Sequence, residues 1–260
     1  NLIRLMEKAA EGNLTVRAKV DVRGEIGKLN KHFNIMIGEL QQLISTVYVT
    51  KLKQKEAELA SLEAQINPHF LYNTLESINW LADMYKARDI GDMAISLANI
   101  FRFSIKGAAI VSLYDEIQHV RDYIKIQKYR YDDRFEMEYR IPDELLHCQI
   151  PKLIVQPLVE NAIYHGIETK EEPGVITIWA QADEHSLHIG VEDDGMTMTG
   201  EQIEAIRQSL KRPAAKGASI GLKNIHDRLQ LLYGSDYGLY IDARSGGGFI
   251  VVLSLPNRQA

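Results

Sequence analysis

One cysteine, Cys148, stands among 260 residues. A lone thiol excludes an internal disulfide and fits a reducing compartment. It lies in an apolar, strand-like run, where a small buried hydrophobe is the expected role. No apolar run approaches the ~18 residues that a membrane-spanning helix needs, and no signal peptide is seen. There is no basic block and no aromatic-interleaved basic patch of the kind that binds nucleic acid. The 30 Lys and Arg are spread along the chain against 35 Asp and Glu, for a net charge of −5. Walker-type phosphate loops and nucleophile elbows are absent. His185 and His188 lack partner ligands at zinc spacing. The chain starts at Asn1, without methionine and inside a helical pattern, so an upstream part is expected.

What is there is globular: 45% hydrophobic and 25% charged residues, in a length that suits one large domain or two smaller ones. Leu2, Leu5, Met6 and Ala9 mark a short amphipathic helix that Gly12-Asn13 stops. Leu14, Val16, Ala18, Val20 and Val22 alternate with polar residues, as a strand or as an extended connector laid along helices. A second helix begins near Gly24. Its apolar positions Ile26, Leu29, Phe33, Met36, Leu40, Leu43 and Val47 step 3-4-3-4-3-4, the heptad seam of a coiled coil or bundle. Beyond Leu40 the seam reads equally as Ile44, Tyr48 and Leu52. Such extra steps of four are a stutter that unwinds a supercoil, and the segment is expected to relay a rotation or register change.

The chain is organised around Gln65-Ile66-Asn67-Pro68-His69-Phe70-Leu71-Tyr72-Asn73. Leu59, Leu62 and Ile66 lead in at helical spacing, and Leu75 and Ile78 lead out, so a proline and a histidine interrupt one amphipathic helix. Proline inside a helix costs ~3 kcal/mol. Two readings stand side by side: a kinked core helix with an ordinary histidine, or a bend that displays the imidazole. After a connection at Lys86-Ala87-Arg88-Asp89, a second stripe follows (Ile90, Met93, Ala94, Leu97, Phe101, Ile105). Two helices cannot bury both stripes alone, so a dimeric four-helix bundle is expected, ending at Lys106-Gly107-Ala108.

Ser112 and Asp115 form a capping-box pattern before a helix carrying Leu113, Ile117, Val120 and Ile124. Phe135–Ile141 reads as a strand, and Lys152–His165 as a helix interrupted by Pro157. Hairpins are expected for 175–182 with 187–192 and for 237–243 with 249–255. Helices are expected over 200–211 and 222–233. Strand pairs separated by helices give a mixed, largely antiparallel sheet with helices on one face.

Four stretches now line up: Asn67-Pro68-His69-Phe70-Leu71-Tyr72-Asn73; Gln156-Pro157-Leu158-Val159-Glu160-Asn161-Ala162-Ile163-Tyr164-His165-Gly166; Val191-Glu192-Asp193-Asp194-Gly195-Met196-Thr197-Met198; and Gly217-Ala218-Ser219-Ile220-Gly221-Leu222-Lys223-Asn224-Ile225. In this order they resemble the phosphoacceptor and nucleotide-binding boxes of sensor histidine kinases of the LytS/YesM type. Residues 1–47 resemble a HAMP signalling module. The resemblance implies a multidomain chain: HAMP module at 1–47, coiled-coil linker at 48–62, dimerisation and phosphotransfer helices at 63–110, and a GHKL/Bergerat-like α/β sandwich that binds ATP at 111–260.

Neutral imidazole is nucleophilic at pH 7. By the resemblance, His69 is the autophosphorylation site. Asn73, one turn on and on the same face, either orients water for dephosphorylation or is a surface asparagine. Asn161 is implied as the Mg²⁺ ligand, a hard oxygen donor, with Glu160 beside it as base or water-orienting group. His165 contacts phosphate or caps its helix. Asp193 is implied to accept from the adenine amine, with Gly195 letting the backbone pass close. Gly217 gives freedom to a lid over 196–219. Gly221 and Leu222, with Asn224 after them, open a helix whose free amides favour phosphate.

Two departures stand out. Thr197 and Ser219 replace the second glycines of the third and fourth boxes, which puts lid geometry and affinity for nucleotide in question. Phe70 follows the histidine where many other histidine kinases carry an acid, which fits this type but leaves the general base unassigned. The resemblance further implies a homodimer on the cytoplasmic side of a bacterial membrane, an upstream transmembrane sensor region, and a response-regulator partner. A kinase-weak nucleotide-binding adaptor and another ATPase of the same sandwich fold are the alternatives.

Overall fold

The computed structural model describes residues 2–10, 13–19, 24–43, 54, 67–168, 170, 172–196, 199–211, 220–244 and 247–258. These fall into two compact units, Asn1–Asn67 and Pro68–Ala260. The phase change at 44–52 and the loop 212–219, with Gly217 and Ser219, lie outside the described residues, as does Thr197.

In the first unit, α1 spans Leu2–Ala10 and α2 is helical over the described residues 25–43. The alternating stretch is a connector, not a strand, over 16–19. Ala18, Phe33 and Ile37 form a small core against Leu5, Ala9 and Val16. The connector's backbone is satisfied by side chains of α2. Ala18 N–H donates to Asn34 Oδ1 at 2.8 Å, and Asn34 Nδ2 returns a bond to Ala18 O at 2.9 Å. Asn30 Nδ2 donates to Lys19 O. An amide at each place does what a neighbouring strand would do. Of the heptad positions, Phe33 is taken into this core, while Ile26, Leu29, Met36, Leu40 and Leu43 remain exposed.

The second unit opens with α3 (Pro68–Met84) and α4 (Arg88–Ile105). The proline is not in a helix interior. Asn67 lies outside regular structure and Pro68 is the first helical residue, where a missing N–H and a fixed φ are compatible with the helix. Then come β1 (Ile110–Ser112) and α5 (Leu113–Arg130). The Ser112 cap forms: Asp115 N–H donates to Ser112 Oγ at 3.1 Å, and Oγ–H donates to Asp115 Oδ2 at 2.7 Å. Strands β2 (Phe135–Arg140) and β3 (Gln149–Pro151) precede α6 (Gln156–Asn161). A π-helical turn covers Ala162–Ile167. The remainder is β4 (Gly174–Ala182), β5 (Ser186–Asp193), α7 (Gly200–Lys211), α8 (Ile220–Tyr233), β6 (Gly238–Ala243) and β7 (Phe249–Pro256).

The main sheet has the order β2-β4-β5-β7-β6. Only β2 and β4 run parallel; both expected hairpins are present, with Ile178 facing Val191 and Ile241 facing Val251. Alternate residues of the strands (Ile176, Ile178, Leu187, Ile189, Val251, Leu253) enter one core with Leu113, Ile117 and Val120 of α5 and Leu229 of α8. Cys148 is buried in that core. A small second sheet pairs β1 with β3, which the sequence pattern did not reveal.

The helix expected from Lys152 begins four residues later. The buried Glu116 of α5 accepts from the N–H groups of Leu153, Ile154 and Val155 at 2.9, 2.8 and 2.9 Å. It caps the approach to α6 from another element. Leu153 takes a φ of 60° there, a conformation that keeps the segment out of the helix. Pro157 is therefore a first-turn residue, not an interruption.

Candidate active site

A cavity of about 320 Å³ opens between α5, the α6–π segment and the start of α8. From α6 and the π turn come Glu160, Asn161 and His165; from α8 come Gly221 and Leu222. Thus five of the residues predicted from the second and fourth boxes share one cavity. The change from α to π winding falls at Asn161–Ala162, and such turns widen a helix at functional sites. Leu222 is buried, Asn161 is half-buried, and Glu160 and His165 are exposed. Glu160 Oε1 accepts from Gln156 Nε2 at 2.7 Å. His165 meets Tyr164 edge-on with ring centroids 5.3 Å apart.

Sequence reasoning missed the opposite wall. Tyr123, Gln127, Arg130 and Tyr131 face the cavity from α5 and the residue after it. Their spacing of four, three and one puts them on one helical face, a signal that could have been read. Burial pushes the Tyr123 phenol well above its ordinary range, and the Glu160 charge adds to that.

Asp193 ends β5, is 2% exposed, and accepts from Gly195 N–H through Oδ1 at 2.9 Å. Burial pushes its carboxyl up to about 6; the Gly195 N–H opposes this, the Asp194 charge adds to it, and Arg244 and the Phe249 N–H oppose it. Asp193 and Gly195 are not among the lining residues of the cavity, but they touch its frame. A Cβ on Gly166 would overlap the Asp193 carboxylate, and one on Gly195 would overlap the Gly166 backbone. The second and third boxes are thus joined at Gly166.

Asn224 is exposed on α8 and does not line the cavity. His69 is exposed in the first turn of α3, and its Nδ1 lies 3.3 Å from Asn73 Nδ2. The imidazole is on the surface, as the displayed-histidine reading requires, and is not among the cavity's lining residues. A larger groove of about 1020 Å³ beside β6, α7 and α8 includes Arg207 and Arg244 but none of the predicted site residues. Arg207 is already engaged with Ile241 O and Asp242, so size alone does not mark the site.

Among the described residues no group of three or more His, Cys, Asp or Glu forms a metal cage. Mg²⁺ does not need one: it keeps several waters and takes one or two protein oxygens with phosphate oxygens. The Asn161 amide oxygen on the cavity wall fits that pattern, with Glu160 next to it in the chain. Also among the described residues, no helix is long and apolar enough to cross a membrane.

Comparison with known proteins agrees with this geometry. Residues 1–42 match the HAMP domain, residues 57–135 the histidine kinase family, and residues 149–259 the histidine kinase-, DNA gyrase B- and HSP90-like ATPase family. The sensor histidine kinase YesM of Bacillus subtilis is 39% identical over 250 residues, covering 96% of this chain and 42% of that protein. An uncharacterized sensor-like histidine kinase of Staphylococcus epidermidis is 30% identical over 257 residues, covering 98% of this chain and 49% of that protein. The chain therefore spans under half the length of these relatives. Among solved structures, the catalytic domain of histidine kinase ThkA is 18% identical with a TM-score of 0.45, covering 57% of this chain and 96% of that one. The chain thus carries HAMP, histidine kinase and GHKL-type ATPase domains in succession, the domain set of a sensor histidine kinase, and is similar to those of the YesM type.

Proposed function

We propose that the chain is the signalling and kinase portion of a two-component sensor histidine kinase. It uses Mg·ATP to phosphorylate His69 and passes the phosphoryl group to an aspartate of a response regulator. The observation that carries this reading is the shared cavity of Glu160, Asn161, His165, Gly221 and Leu222, with Asp193 packed against its frame.

In this reading Asp193 accepts from the adenine amine, and the amides opening α8 at Gly221 and Leu222 hold phosphate. Asn161 would hold Mg²⁺, which would neutralise phosphate charge. Glu160 orients the attacking group or takes its proton. Phosphoryl transfer is mainly positioning and charge neutralisation, and the residues gathered here supply both. An unprotonated ring nitrogen of His69 attacks the γ-phosphorus, the bond to the bridging oxygen breaks, ADP leaves, and the imidazole's remaining proton passes to the base. Asn73 sits where its amide can orient water at a phosphorylated His69. We assign the module boundaries as 1–47, 48–62, 63–110 and 111–260. The exposed Ile26, Leu29, Met36, Leu40 and Leu43 of α2, the exposed Ile78 and Leu81 of α3, and Tyr85 just after it support a homodimer; in this reading the chain is tied upstream to a transmembrane sensor region at the cytoplasmic face of a bacterial membrane.

Incubation with γ-labelled ATP tests this. Acid-labile, base-stable label that disappears in His69→Gln is expected. Nucleotide binding without label would favour an adaptor, and phosphate release indifferent to that substitution would favour a different ATPase.

A further inference from the structure

We propose that His119 and Gln156 are positioning residues that couple helix α4 to Glu160 in the nucleotide cavity; this rests on the kinase reading above. Four side chains from three helices form an unbroken series. Phe103 of α4 stacks on His119 of α5 with ring centroids 4.3 Å apart and planes 22° from parallel. His119 Nε2 is hydrogen-bonded to Gln156 Oε1. Gln156 Nε2 donates to Glu160 Oε1 at 2.7 Å.

The directions of these bonds are fixed from the acidic end. A carboxylate only accepts, so Gln156 must present its NH₂ to Glu160 and its oxygen to His119. His119 must then carry its proton on Nε2. A flip of the Gln156 amide would set two oxygens against each other at Glu160, so the proton on His119 selects the amide orientation that holds the carboxylate.

His119 is 3% exposed, and its Nδ1 has no hydrogen-bond partner among the described residues. A buried polar atom left unpaired costs about 1–3 kcal/mol. Leucine would fill the same space without that cost. An imidazole kept there for packing alone is therefore poorly explained, whereas an imidazole kept for its Nε2 proton is well explained.

The other end of the series is anchored on α4. Lys152 Nζ, four residues before Gln156, donates to Ser104 O and Lys106 O at the end of α4 at 3.3 and 2.7 Å, and lies 5.0 Å from the Phe103 ring centroid. A rotation or shift of α4 would move the Phe103 ring and the Lys152 strap together. It would reach Glu160 through two hydrogen bonds. The helix that follows the phosphoacceptor helix is thereby linked to a carboxylate of the catalytic cavity.

The test uses the 260-residue chain with His119→Leu, His119→Gln, Gln156→Leu and the double variant His119→Leu/Gln156→Leu. The readouts are the labelling rate at saturating ATP, the Kd of a fluorescent ATP analogue, and thermal unfolding. His119→Leu is expected to slow labelling about tenfold while Kd changes less than about twofold. His119→Gln, whose amide donates from the same place, restores most of the rate. The double variant labels no more slowly than Gln156→Leu, because the two residues act in series. Wild-type rates in His119→Leu, multiplying losses in the double variant, or no rescue by glutamine would overturn the coupling. Should His119→Leu fail to fold, Phe103→Leu with Gln156→Leu supplies the same comparison. A wild-type chain that takes no label on His69 removes the kinase reading and the coupling with it; a wild type that labels while every variant labels equally removes the coupling alone.

Discussion

Gly166 lies against the Asp193 carboxylate with no room for a Cβ between them. The end of the π turn and the end of β5 are held in register by that contact. Gly166→Ala is expected to displace Asp193, lowering affinity for an ATP analogue by about tenfold and stability by about 1–3 kcal/mol, as overpacking does. Fluorescent nucleotide titration and thermal unfolding check it. Wild-type affinity in the variant would mean that Asp193 is not where nucleotide is read.

Asp193 itself makes a pH prediction. Its carboxyl is raised by burial from 3.8 to about 6, so the fold holds the proton more tightly than the unfolded chain does. Ionisation thus costs stability: the cost is absent below about pH 4 and complete above about pH 6, where it amounts to roughly 3 kcal/mol. Asp193→Asn should gain stability relative to the wild type as pH rises from 4 to 6. Denaturant unfolding across that window measures the difference, and a pH-independent difference would contradict it. Nucleotide binding by the wild type should weaken as pH falls through 6.

Glu116 concerns the frame rather than the cavity wall. Its carboxylate satisfies three amides ahead of α6. Glu116→Ala leaves those buried donors unpaired and should cost about 3 kcal/mol or more. Glu116→Gln, which keeps one acceptor oxygen, should cost less. Chemical denaturation of the three proteins tests this order; a neutral alanine variant would mean that water replaces the carboxylate.

The exposed apolar residues at the end of α3 and just after it predict self-association. Leu81 and Tyr85 are 54% and 80% exposed on neighbouring turns. Leu81→Glu should weaken the dimer at least about tenfold, since truncating or charging a central apolar contact commonly costs more than 1.4 kcal/mol. Analytical ultracentrifugation gives the dissociation constant, and an unchanged value would place the dimer contacts elsewhere.

The boxes were legible because their chemistry demands particular side chains in short runs. Asn161, Asp193 and Gly221 could be picked out before any geometry was known, and the two hairpins followed from period-two burial. Contacts made across long separations were not legible. Nothing near Glu116 in the chain signals its burial: it is fully buried against amide partners 37 to 39 positions away. Pro157 read as an interruption because nothing local revealed that Leu153 turns the chain before α6. Pro68 read the same way because a first-turn proline and an interior proline have the same flanking periodicity. The His119–Gln156 pair joins residues 37 positions apart, and no local pattern carries it. Asn224 shows the opposite failure, since belonging to a motif did not bring it into the cavity.

The most direct measurement is the site of label after incubation of the chain with γ-labelled ATP. The account predicts phosphoryl on His69, acid-labile and base-stable, abolished by His69→Gln and by Asn161→Ala, with the His69→Gln chain still binding nucleotide at wild-type affinity. Label that persists in His69→Gln, or that forms in Asn161→Ala as fast as in the wild type, would contradict it.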